Sequence, residues 1–370
     1  MEQELRRMFE IKETDMVTSP TLSPELRNRI GRQRIVMGGA VAATAFALVL
    51  GGFAMTSALS TDAAPVRPAE ERKPPTEPGP EGLFADVGGW IAYRSVDGIW
   101  AVDPERPERR IRLSRADGFP IAWSNDGAKL LIQRLSPEGS DRPSPGLYVL
   151  ETDGTETRLT ERPFDASFSP DGSEVVYATS RAIYAVSSDG GAPRLIARAT
   201  RQIFIGGRSY LSFIELPALS PDGTRIAYFD GYGDHSHNLR VMNADGTERR
   251  LVLDEEVSGA GHMNALRWSP DGEWLAFTTD DGIYLVRPDG TGFRLMVRGD
   301  FVQSSTVQWS PDGPRVAYYR MGATTTCGAF NGPCETVGSL SIVNIDGGDE
   351  QIIEGIRTPE NTFIAWNPAE

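Results

Sequence analysis

From residue 88 onward, short apolar stretches alternate with polar turns, and the same order of stretches keeps returning. One stretch ends in an aromatic and runs into a Ser-Pro-Asp-Gly turn. The next is dense in β-branched and aliphatic residues: Leu130-Leu131-Ile132, Val175-Val176-Tyr177, Ile226-Ala227-Tyr228, Leu275-Ala276-Phe277 and Val316-Ala317-Tyr318. A third follows, as in Leu147-Tyr148-Val149, Ile183-Tyr184-Ala185 and Ile283-Tyr284-Leu285, and closes on a second turn, Asp153-Gly154, Asp189-Gly190, Asp245-Gly246, Asp289-Gly290 or Asp346-Gly347. An Arg-rich fourth stretch, such as Arg294-Leu295-Met296, completes the unit. Stretches this short, bounded by Asp-Gly and Pro, read as β-strands. In the turns, proline presets φ, aspartate caps the backbone and glycine takes the positive φ that reverses the chain.

The turn phrase stands at Trp123–Gly127, Phe168–Gly172, Leu219–Gly223, Trp268–Gly272 and Trp309–Gly313, with glycine-to-glycine intervals of 45, 51, 49 and 41. A truncated copy ends the chain at Trp366-Asn367-Pro368. Units of this period with four antiparallel strands are propeller blades. The ends set the count. Residues 90–114 supply a second, third and fourth strand without a first, and Phe363–Trp366 is a first strand with nothing after it. Joined, they make one blade. With five internal units the expectation is an all-β, six-bladed propeller over 88–370, its ring closed by the C-terminal strand.

These repeats resemble the WD40-like PD40 repeats of the TolB-type propeller family, over about residues 88–370. The resemblance implies the fold. It leaves function open, because such propellers include scaffolds, peptidase substrate filters and lyases. A TolB protein carries an α/β domain before its propeller, where this chain has a proline-rich stretch. The Gly-x-Ser-x-Gly signature of a propeller-gated hydrolase does not occur either.

The region before the repeats has a different pattern. Residues 35–59 carry no charge and are long enough to span a bilayer as a helix. Arg27, Arg29, Arg32 and Arg34 precede it, so the positive-inside rule puts residues 1–34 in the cytoplasm and the repeats outside. A cleaved signal peptide is the rival reading, with Ala58-Leu59-Ser60 as the cleavage site; the long, acid-containing leader argues against it. Residues 60–87 hold Pro65, Pro68, Pro74, Pro75, Pro78 and Pro80 and read as a stiff extracytoplasmic linker. The expectation is a single-pass cell-membrane protein.

Charge narrows the partners. The net formal charge is −14; residues 1–34 contribute seven basic and six acidic side chains, or +1, leaving −15 for the rest. Phosphate-backbone binding needs clustered cations, so nucleic acid is excluded as a partner class.

Alternation along the strands sorts the connections onto two faces. The repeated Pro-Asp-Gly and Asp-Gly turns share one. The second-to-third and blade-to-blade connections share the other, where their variety makes them the place to look for function. Three histidines fall there: His235 and His237, after Asp230 and Asp234, and His262 in the connection to the next blade. Imidazoles on one surface suit Mn, Zn or Fe, so His235, His237 and His262 are candidate metal ligands; polar loop residues without a metal are the plainer alternative. Cys327 and Cys334 are the only cysteines and lie in an insertion, Met321 to Gly338; outside the cytoplasm they are expected to form a disulfide. Gln202–Ile205 and Arg208–Phe213 flank Gly206-Gly207 as an extra hairpin. Arg267 and Gln308 occupy the first-strand position held elsewhere by Ala122, Ser167, Ala218 and Ala365, and would line the channel. Asp234, His235, His237, His262, Arg267 and Gln308 are thus the candidate binding residues. The repeated aromatics are expected between blades.

No catalytic constellation emerges and no cofactor is implied beyond that candidate metal. The leading expectation is a membrane-tethered, non-enzymatic binding or scaffold module for a protein, peptide or glycan of the bacterial envelope. The alternatives are a metal-dependent polysaccharide lyase or hydrolase using the histidine face, and a transmembrane regulator resembling proteins that restrain sigma factors.

Overall fold

The computed structural model describes residues 82–368 except 85, 116, 135–144, 162–164, 200–201, 206–207, 233–235, 255–262, 300–306, 328–333 and 360–362. The expected segments 1–34 and 35–59 and most of the linker lie outside the described residues. Among the described residues no helix is long and apolar enough to cross a membrane.

Six antiparallel sheets follow one another along the chain. Blade 1 holds β1 (Ile91–Ser95), β2 (Gly98–Val102) and β3 (Arg110–Ser114). Blade 2 holds β4 (Phe119–Trp123), β5 (Lys129–Arg134), β6 (Gly146–Glu151) and β7 (Glu156–Thr160). Blade 3 holds β8 (Ala166–Phe168), β9 (Glu174–Thr179), β10 (Ala182–Ser187) and β11 (Arg194–Arg198). Blade 4 adds an extra strand: β12 (Gln202–Ile205), β13 (Arg208–Leu219), β14 (Arg225–Tyr232), β15 (Ser236–Asn243) and β16 (Arg250–Leu253). Blade 5 holds β17 (Ala265–Trp268), β18 (Leu275–Thr279), β19 (Gly282–Val286) and β20 (Arg294–Arg298). Blade 6 holds β21 (Val307–Trp309), β22 (Arg315–Cys327), β23 (Cys334–Asn344) and β24 (Gln351–Pro359).

The last strand, β25 (Ile364–Trp366), returns to blade 1 and pairs with β1, Ile91 opposite Trp366 and Tyr93 opposite Ile364. This is the expected closure. The inner strands β25, β4, β8, β13, β17 and β21 then neighbour one another around a ring.

The five turn phrases share one geometry. The glycine N–H donates to the serine carbonyl at 2.8–2.9 Å, and the glycines sit at φ of 66° to 92°. Serine has a part that proline, aspartate and glycine do not explain. In four copies its hydroxyl donates to the turn aspartate, at 2.6 Å for Ser124, 2.6 Å for Ser169, 2.5 Å for Ser220 and 2.5 Å for Ser269. The same oxygen accepts the N–H five residues on, that of Lys129, Glu174, Arg225 or Trp274, each at 2.9 Å. One hydroxyl therefore ties the turn to the first residue after it. In two of the copies these bonds to the ionised form lower the carboxyl to about 2: the Ser169 hydroxyl, then the Ser173 N–H, do so for Asp171, and Ser220 and Thr224 for Asp222.

The core lies between blades. Ile91, Leu130, Leu131, Ile132, Ile226, Phe229, Leu275, Phe277 and Val316 are all fully buried. Trp123, Trp268 and Trp309 are each wedged against the preceding blade and donate their indole N–H there: Trp123 to the Ala365 carbonyl at 3.2 Å, Trp268 to Ala218 at 2.9 Å and Trp309 to Arg267 at 3.3 Å. The rings bury apolar area while the N–H satisfies an inner-strand carbonyl, as a buried indole requires. That matches the expected packing role.

Candidate functional site

The face bearing the second-to-third connections is built unevenly. Blades 1, 3 and 5 make this connection with two residues: Val96-Asp97, Ser180-Arg181 and Asp280-Asp281. Blades 2, 4 and 6 do not. In blade 2 residues 135–145 separate the strands, and in blade 4 β14 and β15 run to eight residues each. In blade 6 β22 and β23 reach 13 and 11 residues. Long and short connections alternate around the ring. The spacing between second- and third-strand stretches carried this signal in the sequence, and reading each loop singly missed it.

The insertion Met321 to Gly338, expected as a loop, is instead the continuation of that blade 6 hairpin. Thr324, Thr325 and Thr326 oppose Val337, Thr336 and Glu335, and Cys327 stands opposite Cys334. A run of β-branched threonines suits a pleated ladder better than a coil. The extra hairpin in blade 4 is present as expected: Gln202–Ile205 pairs with Arg208–Leu211, ahead of the part of β13 that pairs with β14. Leu216, at φ 51°, lies at the register shift between Glu215 and Ala218, a bulge within the pairing of β13 with β14.

The channel is crossed by the two polar residues expected to line it. Arg267 of β17 reaches to Asp165, just before β8, with N–O distances of 2.7 and 3.3 Å. Both side chains are buried, at 11% and 2% exposure. Gln308 of β21 donates to the carbonyls of Ile364 at 3.0 Å and Ile121 at 3.4 Å. Arg267 also donates to the Leu266 carbonyl of its own strand at 2.9 Å.

His237 lies on β15, not in a loop. It is buried, with its ring 5.0 Å from that of Phe213 and its Nε2 3.4 Å from Glu215 Oε1. Asp234, His235 and His262 lie outside the described residues. Among the described residues no group of three or more His, Cys, Asp or Glu is placed to hold a metal.

Ion pairs fix the mouth of the channel between blades 1 and 2. Arg94 grips Asp117 through two bonds, 2.8 and 3.0 Å, and lies 4.5 Å over the Phe119 ring, itself 4.9 Å from Phe363. Arg134 forks onto both oxygens of Glu156 and donates to the Asp117 carbonyl at 3.2 Å. Planar guanidinium forks hold geometry that lysines would not. In blade 5 the Tyr284 hydroxyl donates to Asp281 at 3.0 Å; burial, reinforced by the Asp281 charge, pushes the phenol up and keeps it protonated. Arg94 and Arg134 thus both hold the segment that enters blade 2 at Asp117.

No protein-family model matches the chain. It is similar to a TolB homologue of Chlorobium luteolum, 34% identical over 154 residues, covering 40% of this chain and 31% of that one. An uncharacterized protein of Agrobacterium fabrum is 28% identical over 268 residues, 66% of this chain and 80% of the relative. The Tol-Pal system protein TolB of Gluconobacter oxydans is 32% identical over 114 residues, 30% and 23% of the two chains. The chain thus matches under a third of the length of these two TolB relatives. Among solved structures, a putative TolB from Agrobacterium tumefaciens superposes with a TM-score of 0.50 at 20% identity, over 75% of this chain and 94% of that one. A chain of the nidogen/laminin complex gives 0.54 at 12%, over 75% and 98%. At such identities these structures speak for the propeller fold alone. Repeats and closed ring make the chain a six-bladed β-propeller, and over part of its length its sequence is similar to that of TolB proteins.

Proposed function

We propose that the chain is a non-enzymatic binding module of the bacterial envelope, engaging a protein, peptide or glycan on the face that carries the uneven connections. The observation that carries this reading is the alternation itself. Two-residue turns in blades 1, 3 and 5 leave low ground between the longer connections of blades 2, 4 and 6. A partner seated there contacts several blades at once, on a platform held by the forked arginine pairs. Similarity to TolB proteins supports an extracytoplasmic, protein-binding role. We place the propeller outside the cell membrane, held by residues 35–59 with the N-terminus in the cytoplasm, because of the uncharged span and the arginines that precede it. Within this reading Cys327 and Cys334 form a disulfide that locks the blade 6 hairpin.

The test compares the full-length chain with a variant in which residues 321–338 are replaced by an Asn-Gly turn. Both are cross-linked to envelope extract and applied to a glycan array. A specific ligand that the intact chain retains and the variant loses is expected. Recovery of the same ligands by both, or of none by either, refutes the assignment.

A further inference from the structure

The uniform face holds a groove that its own repeat pattern should have closed. The first residue of the second strand is basic in blades 2, 4 and 6: Lys129, Arg225 and Arg315. In blade 2 the Lys129 ammonium spans the junction to the next blade's third-to-fourth turn, donating to Ser188 at 2.8 Å and meeting Asp189 at 3.4 Å. In blade 6 Arg315 crosses likewise to Glu105 at 3.7 Å. Arg225 of blade 4 also reaches the next blade, but only to stack its guanidinium on the Trp268 ring at 4.7 Å; it enters no ion pair among the described residues.

The neighbouring turn explains the difference. Where blade 3 has Ser188-Asp189-Gly190-Gly191, blade 5 has Pro288-Asp289-Gly290-Thr291. Proline removes the hydroxyl acceptor. Thr291 then satisfies Asp289 within its own turn, the N–H at 2.9 Å and the hydroxyl at 2.7 Å. Arg225 therefore has no ion-pair partner in that turn, and the junction between blades 4 and 5 holds a groove of about 710 Å³.

The two other arginines on the groove are committed, Arg250 to Glu248 at 3.0 Å and Arg287 to Glu273 at 3.3 Å. Stacking occupies the flat face of the Arg225 guanidinium and leaves its in-plane N–H groups as a fork for an anion. Beside it Leu251, on the outer strand of the blade 4 sheet, is 42% exposed. That strand has an unpaired edge to which an extended backbone can add. We propose that this groove binds a peptide segment through one carboxylate held by Arg225, with an apolar neighbour against Leu251. The site lies on the opposite face from the platform above and does not depend on it.

The test uses the full-length chain and two dye-labelled pentapeptide pools, acetylated and amidated, identical except for a central Asp or Asn. Fluorescence polarisation should show the Asp pool binding about ten- to a hundredfold more tightly than the Asn pool, the range of a charge-assisted hydrogen bond. Arg225→Gln should abolish that preference, Arg225→Lys should keep part of it, and Lys129→Gln, in the closed junction, should leave it intact. Thermal melting of each variant confirms folding. Equal binding of both pools, an unaffected Arg225→Gln variant, or no binding at all overturns the proposal. So does displacement by inorganic phosphate at concentrations below the peptide's own, which would mark a general anion site. Replacing residues 321–338 should not alter this binding, so failure here and failure of the platform reading are told apart.

Discussion

Breaking the bridge across the channel should cost more than any exposed ion pair of this protein. Asp165 and Arg267 are buried and doubly bonded, and Asp165 also accepts the Ala166 N–H at 2.8 Å. At an effective dielectric of about 20, two charges about 4 Å apart attract by about 4 kcal/mol, much of it offset by desolvating both groups. Removing one partner leaves the other charge buried and unanswered, at a cost of about 3–5 kcal/mol. Asp165→Asn and Arg267→Met should each lose about that much in urea unfolding followed by tryptophan fluorescence. The double variant leaves no charge stranded, so its loss should fall short of the sum by about 2–3 kcal/mol. Additivity within about 0.5 kcal/mol, or single losses below about 1 kcal/mol, would show that the pair does not hold blades 3 and 5 together.

Two further outcomes follow from the turns and the blade 6 hairpin. Asp171 and Asp222 are lowered from the usual carboxylate range to about 2, and Asp126, Asp153, Asp245 and Asp289 move in the same direction. Because the unfolded chain binds more protons below about pH 4, their contribution is fully present above about pH 5 and fades as pH falls toward about 2; Asp171→Asn with Asp222→Asn should flatten the fall in urea midpoint over that window, and an unchanged slope would refute the assignment. Cys327 and Cys334 should resist alkylation until reduced, and reduction should lower stability by about 2–3 kcal/mol, the loop-closure value; two thiols titrating in the unreduced protein would count against the bridge.

The fold was legible because the repeat encodes it in local chemistry. Each Asp-Gly pair states a turn, and the orphan strand Phe363–Trp366 states where the ring closes. The lengths of the hairpins were harder to see. Thr324–Thr326 carries no apolar alternation, so only the β-branching of its threonines hinted at the strand that pairs with Val337, Thr336 and Glu335. The fates of Arg267 and Gln308 were hidden for another reason. Their position on the inner strands marked them as facing the axis, but their partners, Asp165 and the carbonyls of Ile121 and Ile364, come from other blades and share no spacing with them. His237 looked like a loop residue because the next strand begins one residue earlier, at Ser236. The groove beside Arg225 rests on what a neighbouring turn lacks, and only comparison of the junctions exposes such an omission.

Closure by the final strand also sets an order of events in biosynthesis. Blade 1 holds β1 to β3 from the outset, yet its inner strand comes last, and Trp366 returns to donate to the Gly89 carbonyl at 2.8 Å across a sequence separation of 277. Until that residue has been made, β1 presents an open hydrogen-bonding edge and Trp123 has no Ala365 carbonyl to meet. A nascent chain therefore cannot finish its ring, however many blades have condensed, and the longest-range contacts, which slow folding most, are deferred to the end. Blades 2 to 6 can each pair their own strands before β25 arrives, so the ring locks in a late step that depends on this one strand.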